Sequence, residues 1–273
     1  MDNLGRFAAL YDDSAFVIAV SDSTDSSFSI LTQWLRAGRQ GKVIDLGCLA
    51  DQTPSRTARI AIARNTCLAE IHSTSLSKFD HLIVADFDDV LAPYVPAEDF
   101  AAAANWLEER PERAAVFANS APRYYDIWSL RHETWCPGDC WHAIWGRHPK
   151  ASFESAKIRE VYSRQIAIPS SMPPIRVRSA FGGLGIYKMQ FTFGARYCGT
   201  DGFNREVAEH VAFNEAIGLK GGQLYVYPSL VVQAPTEHLY RVSEFTLRWR
   251  LAMFGVRMHE RWSRLWRTLV EAE

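Results

Sequence analysis

The residues best suited to chemistry are Asp86, Asp88 and Asp89, in the run His81-Leu82-Ile83-Val84-Ala85-Asp86-Phe87-Asp88-Asp89-Val90. A short apolar run of this length reads as a buried strand. Alternation along a strand sends Asp86 and Asp88 to the same side at its carboxyl end. Two like charges there repel each other, and a cation between them removes the repulsion. Carboxylate oxygens are hard ligands that suit Mg²⁺ or Mn²⁺. Ligands of open α/β sheets also gather at the carboxyl ends of strands. The segment therefore predicts a metal site, a sheet and the edge of an active site.

Three chemistries fit an Asp-x-Asp at a strand end. In one, the carboxylates hold a divalent metal that acts as a Lewis acid on a departing nucleoside diphosphate. In another, Asp86 is a nucleophile that takes a phosphoryl group; Asp86-Phe87-Asp88-Asp89-Val90 fits the Asp-x-Asp-x-[Thr/Val] opening of haloacid-dehalogenase-like phosphatases. That motif normally lies on the first strand of its domain, whereas two strand-helix units precede it here. In the third, the acids begin a solvated loop.

A second cluster competes for a metal. His132, Cys136, Cys140 and His142 offer four zinc ligands, without the usual paired Cys-x-x-Cys spacing. Trp135, Trp141 and Trp145 lie among them. Sugars present apolar C–H faces that stack on aromatic rings, so this stretch reads as the wall of a saccharide pocket, or as ordinary packing.

The elements that must position these groups follow from periodicity. Residues 16–21 and 43–47 read as strands, and 28–37, 57–72 and 99–109 as helices. The strand ending at Asp86 comes next, and 114–118 adds another. Strand-helix-strand-helix-strand at this spacing predicts a right-handed, mostly parallel α/β sheet. Residues 120–150 show no period. Gly182, Gly183 and Gly185 let backbone approach a neighbour closely. A helix over 206–217, a Gly221-Gly222 turn and a strand over 223–227 complete one domain spanning residues 1–240.

Size and charge exclude several classes. The 273 residues are 48% hydrophobic and 22% charged, an ordinary globular composition. A net charge of -1 gives no electrostatic case for nucleic acid. No apolar stretch reaches membrane-spanning length and no secretory signal is visible. The five cysteines are an odd, scattered set, which predicts reduced thiols and a cytoplasmic protein.

Further motifs carry a resemblance. A helix ending Ala63-Arg64-Asn65 precedes the Asp cluster; the segments Tyr124–Arg131, Arg178–Lys188 and Glu209–Asn214 follow it in order. Residues 15–240 so read resemble the GT-A fold nucleotide-sugar glycosyltransferases, in particular the fungal capsule-associated mannosyltransferases and their bacterial relatives. The resemblance implies a GT-A-like, Rossmann-type mixed sheet flanked by helices. It implies transfer of a sugar from a nucleoside diphosphate sugar to a saccharide or lipid-linked saccharide, with Mn²⁺ or Mg²⁺, in surface polysaccharide synthesis. A non-catalytic nucleotide- or glycan-binding module is the remaining alternative.

Carried over by position, the resemblance implies that Asp86 contacts the donor ribose or sugar, while Asp88 and Asp89 bind the metal. Arg64 and Asn65 lie at the nucleotide edge. Gly182 and Gly183 pass beside the donor sugar and acceptor. Tyr125 and Asp126, with Trp141, are expected at the acceptor. Where inverting members carry Glu-Asp, this chain has Glu209-His210. Glu209 is the preferred base for an inverting transfer, with His210 as a second base or metal neighbour; the bland reading is a helix N-terminal acid meeting the dipole. His238 is expected as a late third metal ligand, or as a plain loop histidine.

Residues 241–273 differ from the rest. Leu251, Phe254, Met258, Trp262, Leu265 and Leu269 recur at helical steps beside Arg250, Arg257, Arg261 and Arg264. This predicts a C-terminal amphipathic helical extension. Through residues 245–270 it would pack on its own domain, form a homodimer, or rest peripherally on the inner face of the cytoplasmic membrane.

Overall fold

A computed structural model describes residues 2–87 and 89–239. The amphipathic extension predicted over 241–273 lies outside the described residues, as does Asp88. Helix α1 (Asp2–Ala8) precedes strand β1 (Ala15–Val20), helix α2 (Ser27–Arg36), strand β2 (Gln40–Asp45), helix α3 (Arg56–Ser73) and strand β3 (His81–Ala85). Helix α4 (Ala97–Glu108) and strand β4 (Arg113–Ala121) follow. The stretch without sequence periodicity contains one short helix, α5 (Cys140–Trp145), and α6 (Phe153–Glu160) follows it. Strand β5 (Ile175–Val177), strand β6 (Leu184–Lys188), helix α7 (Met189–Thr192), helix α8 (Glu209–Leu219) and strand β7 (Gln223–Gln233) complete the order.

The fold is mixed α/β, with a five-stranded sheet flanked by helices. Its strand order is β3-β6-β4-β7-β5. Only β4 and β7 run parallel; β3 and β4 each pair antiparallel with β6, and β5 pairs antiparallel with β7. The expectation of one mostly parallel sheet is corrected here. β1 and β2 form a separate parallel pair, and β6 inserts beside β3 from far along the chain. Periodicity reports which face of a strand is buried, not which strand lies next to it.

Two apolar clusters cover the two faces of the five-stranded sheet. Phe117, Tyr187, Phe213 and Val226 centre one; Phe7, Phe100, Leu107, Val116 and Ile186 centre the other. Phe117 is followed by Ala118, and Val116 precedes it, so adjacent β4 residues feed opposite layers as strand alternation requires. The segment leading into β1 is tied to the start of β3, where the Tyr11 hydroxyl lies 2.9 Å from His81 Nδ1. His81 Nε2 lies 2.7 Å from Glu108 Oε1, tying β3 to α4. No helix among the described residues is long and apolar enough to cross a membrane.

Candidate active site at the carboxyl end of β3

Arg64 organises the site. It lies midway along α3, whose start is capped by the Ser55 hydroxyl accepting from the Ala58 N–H. Its Nη2 donates to Asp86 Oδ1 at 2.7 Å. Its Nε lies 3.2 Å from Glu209 Oε1. The guanidinium carbon also sits 4.6 Å from the Phe181 ring centre and 5.6 Å from that of Tyr197, within cation–π range. Burial works against the Arg64 charge, and the carboxylates of Asp86 and Glu209 outweigh it, holding the group above its ordinary range. A buried charge persists when it is paired in this way.

Three chain segments meet at this cation. Asp86 is the residue just past β3. Its N–H donates to the carbonyl of Gly183, just before β6, at 3.0 Å. Glu209 opens α8, where the unpaired amides of the first turn favour a negative charge. Arg64 touches Asp86 and Glu209, and Asp86 touches Gly183, so these four residues form one contact set.

The glycine loop is fixed from both sides. Gly182 N–H donates to Asp126 Oδ2 at 3.0 Å, and Ser129 hydroxyl donates to the same carboxylate oxygen. Gly183 has φ +89°, and a Cβ there would come within 2.5 Å of Val90 Cγ1. No side chain fits without moving Val90. Asp126, expected at the acceptor, spends its carboxylate on this loop.

Asn65, expected at the nucleotide edge, clamps a backbone segment. Its Nδ2 donates to the Tyr197 carbonyl at 2.9 Å, and its Oδ1 accepts the Tyr197 N–H at 3.0 Å. That clamp sets the Tyr197 ring under Arg64. His210 is 2% exposed, stacked on Phe181 with ring centres 3.7 Å apart and edge-on to Tyr197 at 5.1 Å. Both of its ring nitrogens are buried without a hydrogen bond, and Nε2 lies 3.7 Å from Glu209 Oε1. Burial, aided by the Arg64 charge, lowers its pKa well below the ordinary value, so the ring is neutral. Tyr197 lies in none of the motifs, and Phe181, although within the Arg178–Lys188 segment, was given no role there; their tie to the site is visible through packing.

The four residues of the zinc proposal are used otherwise. Among the described residues no three His, Cys, Asp or Glu side chains come together as a metal group. Cys136 accepts from Arg164 Nη1 at 3.2 Å, and Cys140 is buried, its thiol pKa pushed up chiefly by burial. His132 Nδ1 accepts the N–H groups of Thr134 and Trp135, while His142 faces Asp201 at 3.6 Å. All five cysteines are free thiols. His238 stacks on Tyr125, with ring centres 5.8 Å apart and planes 5° apart. Trp141 stacks on Trp145 and meets Trp128 edge-on. The side chain of Asp89 is outside the described set; its backbone begins a short 3₁₀ turn, Asp89–Leu91.

A cavity of about 690 Å³ opens between β1 and β3. Ile18, Ile60, Leu68 and Val84 line its middle; Asp22, Arg56, Arg59, Arg64 and Asp86 line the end where both strands finish. Its size suits a small-molecule ligand, and its polar groups converge at the strand ends. No protein-family model matches the chain, and no curated protein matches it.

Proposed function

We propose that this chain is a metal-dependent glycosyltransferase of the GT-A type. It moves a sugar from a nucleoside diphosphate sugar to a saccharide or lipid-linked saccharide acceptor, with inversion. One observation supports this most: Arg64, Asp86, Gly183 and Glu209, from four distant segments, meet at the carboxyl end of β3 beside a cavity lined by Arg56 and Arg59.

The division of labour follows from the chemistry of each group. Arg56 and Arg59 stand where an anionic diphosphate would enter. Asp86, a third of its side chain exposed, orients the donor. Asp86, Asp88 and Asp89 supply the hard oxygen donors that Mn²⁺ and Mg²⁺ prefer. A metal bound there would neutralise charge on the departing diphosphate. Glu209 takes the proton of the acceptor hydroxyl as it attacks. His210, enclosed and without a hydrogen bond, packs beside Glu209 rather than exchanging protons itself. The reaction class is consistent with a chain working peripherally on the inner face of the cytoplasmic membrane.

Thermal unfolding with UDP, GDP or CDP, with and without Mn²⁺, tests the reading. One nucleotide is expected to raise the melting temperature only when metal is present. Asp88→Ala is expected to abolish that rise. No shift with any nucleotide, or an undiminished shift in D88A, refutes the assignment.

A further inference from the structure

Trp145 is 66% exposed, although it belongs to an aromatic group. Its ring stacks on Trp141 with centres 6.5 Å apart and planes 28° apart, and lies 5.3 Å from Phe153. Trp141 in turn meets Trp128 edge-on at 6.1 Å. The group is built rather than incidental. Asp139 caps α5 by accepting the N–H groups of Trp141 and His142, and it is itself held by buried Arg131 at 2.7 Å.

The surroundings of these rings are cationic. Lys157 lies 5.9 Å over the Trp141 ring, and Arg147 lies 5.6 Å from the Phe153 ring centre. Residues 140–164 carry Arg147, Lys150, Lys157, Arg159 and Arg164 against Glu154 and Glu160. Glu160 is taken by Arg159 and Arg164. Arg147, Lys150 and Lys157 make no ion pair among the described residues, which leaves a local excess of positive charge on a chain of net charge -1.

The platform is also tied to the donor side. Trp128 adjoins Ser129, whose hydroxyl donates to Asp126, and Asp126 holds Gly182 of the loop that meets Asp86. We infer that this face is an acceptor subsite for an acidic saccharide, one bearing carboxylate groups. Flat ring faces take the C–H face of a pyranose, and Lys150 and Lys157, which have no ion pair among the described residues, take its carboxylates, while Arg147 already donates to the carbonyls of Ile144 and Ala151. A membrane contact fits less well, because α5 and α6 are short, six and eight residues. The inference rests on the transfer reading, which supplies the reason for a second saccharide beside the donor.

Calorimetric titration of the full chain with a glucuronate-containing oligosaccharide and its neutral glucose counterpart, without nucleotide or metal, tests it. The acidic oligosaccharide is expected to bind more tightly, with an affinity that falls as salt rises. Trp145→Ala and Lys157→Glu are each expected to weaken it about tenfold or more, while Trp145→Phe retains most of the binding. Because Trp145 is exposed, W145A is expected to keep the fold, and circular dichroism checks it. Binding of neither oligosaccharide, equal binding of both, or unchanged binding by W145A overturns the inference. So does Trp145-dependent binding of phosphatidylglycerol vesicles without saccharide binding. A nucleotide shift without saccharide binding removes this inference alone; saccharide binding without any nucleotide shift removes the transfer reading instead.

Discussion

Arg64 Nη2 and Asp86 Oδ1 stand 2.7 Å apart, so the carboxylate at the end of β3 is held from the middle of α3. The same guanidinium serves Glu209, whose side chain is only 10% exposed. One cation therefore balances two acids, and its removal takes that balancing charge from both.

Arg64→Met is expected to destabilise the fold by about 3 kcal/mol, the low end for breaking a buried pair, because Asp86 is partly exposed. Arg64→Lys keeps the charge but loses the fork that reaches two carboxylates, and should cost roughly half as much. Urea unfolding at pH 7 measures both. An R64M protein as stable as wild type contradicts the pairing.

Gly183→Ala should cost about 1–3 kcal/mol, from a Cβ pressed on Val90 and a strained positive φ. Val90→Ala in the same chain makes room and should recover part of that loss. A double-mutant cycle reads the coupling. Strict additivity would show that Gly183 and Val90 do not touch.

His210 supplies a pH signature. Its folded pKa lies well below the ordinary value, burial being the main cause, while the unfolded chain titrates near 6.5. The unfolded state therefore binds the extra proton first as pH falls below about 6.5, and stability drops by up to about 1.4 kcal/mol per pH unit until the folded ring protonates. Above that pH the residue contributes no slope. His210→Phe should preserve the stack on Phe181 and flatten the curve by one proton. Unfolding curves from pH 5 to 8 compare the two; parallel curves would argue against a neutral enclosed ring.

Glu209→Gln keeps the shape and removes the base. Turnover is expected to fall about 10²–10⁴-fold while nucleotide binding persists. Near-normal turnover would move the proton transfer to another group.

The end of β3 and its neighbours were legible because their signals are local. An apolar run, three acids and a helical pattern each sit within a few residues. The pairing of β3 with β6 was not, since no short-range pattern encodes a partner so far along the chain. The strand read over 223–227 is longer in the fold: β7 passes Pro228 and continues to Gln233. The register slips between Ala118 and Asn119, and the Asn119 amide donates to the Pro228 carbonyl at 3.0 Å, so the interruption is absorbed as a bulge. The zinc-like cluster misled by composition: residue types that bind metal also pack, and Cys136 and Cys140 do the latter.

The break between β1 and β3 has a consequence for hydrogen exchange. A single seven-stranded sheet has two outer edges; dividing it into a pair and a five adds the facing sides of β1 and β3. Such rims usually invite another chain. Here they open into a space that α1 and α3 also line, including Phe7 and Ile60, so solvent reaches their amides more readily than a second polypeptide does. Outward amides of β1 and β3 should accordingly lose protection well before those of β4, which is paired on both sides.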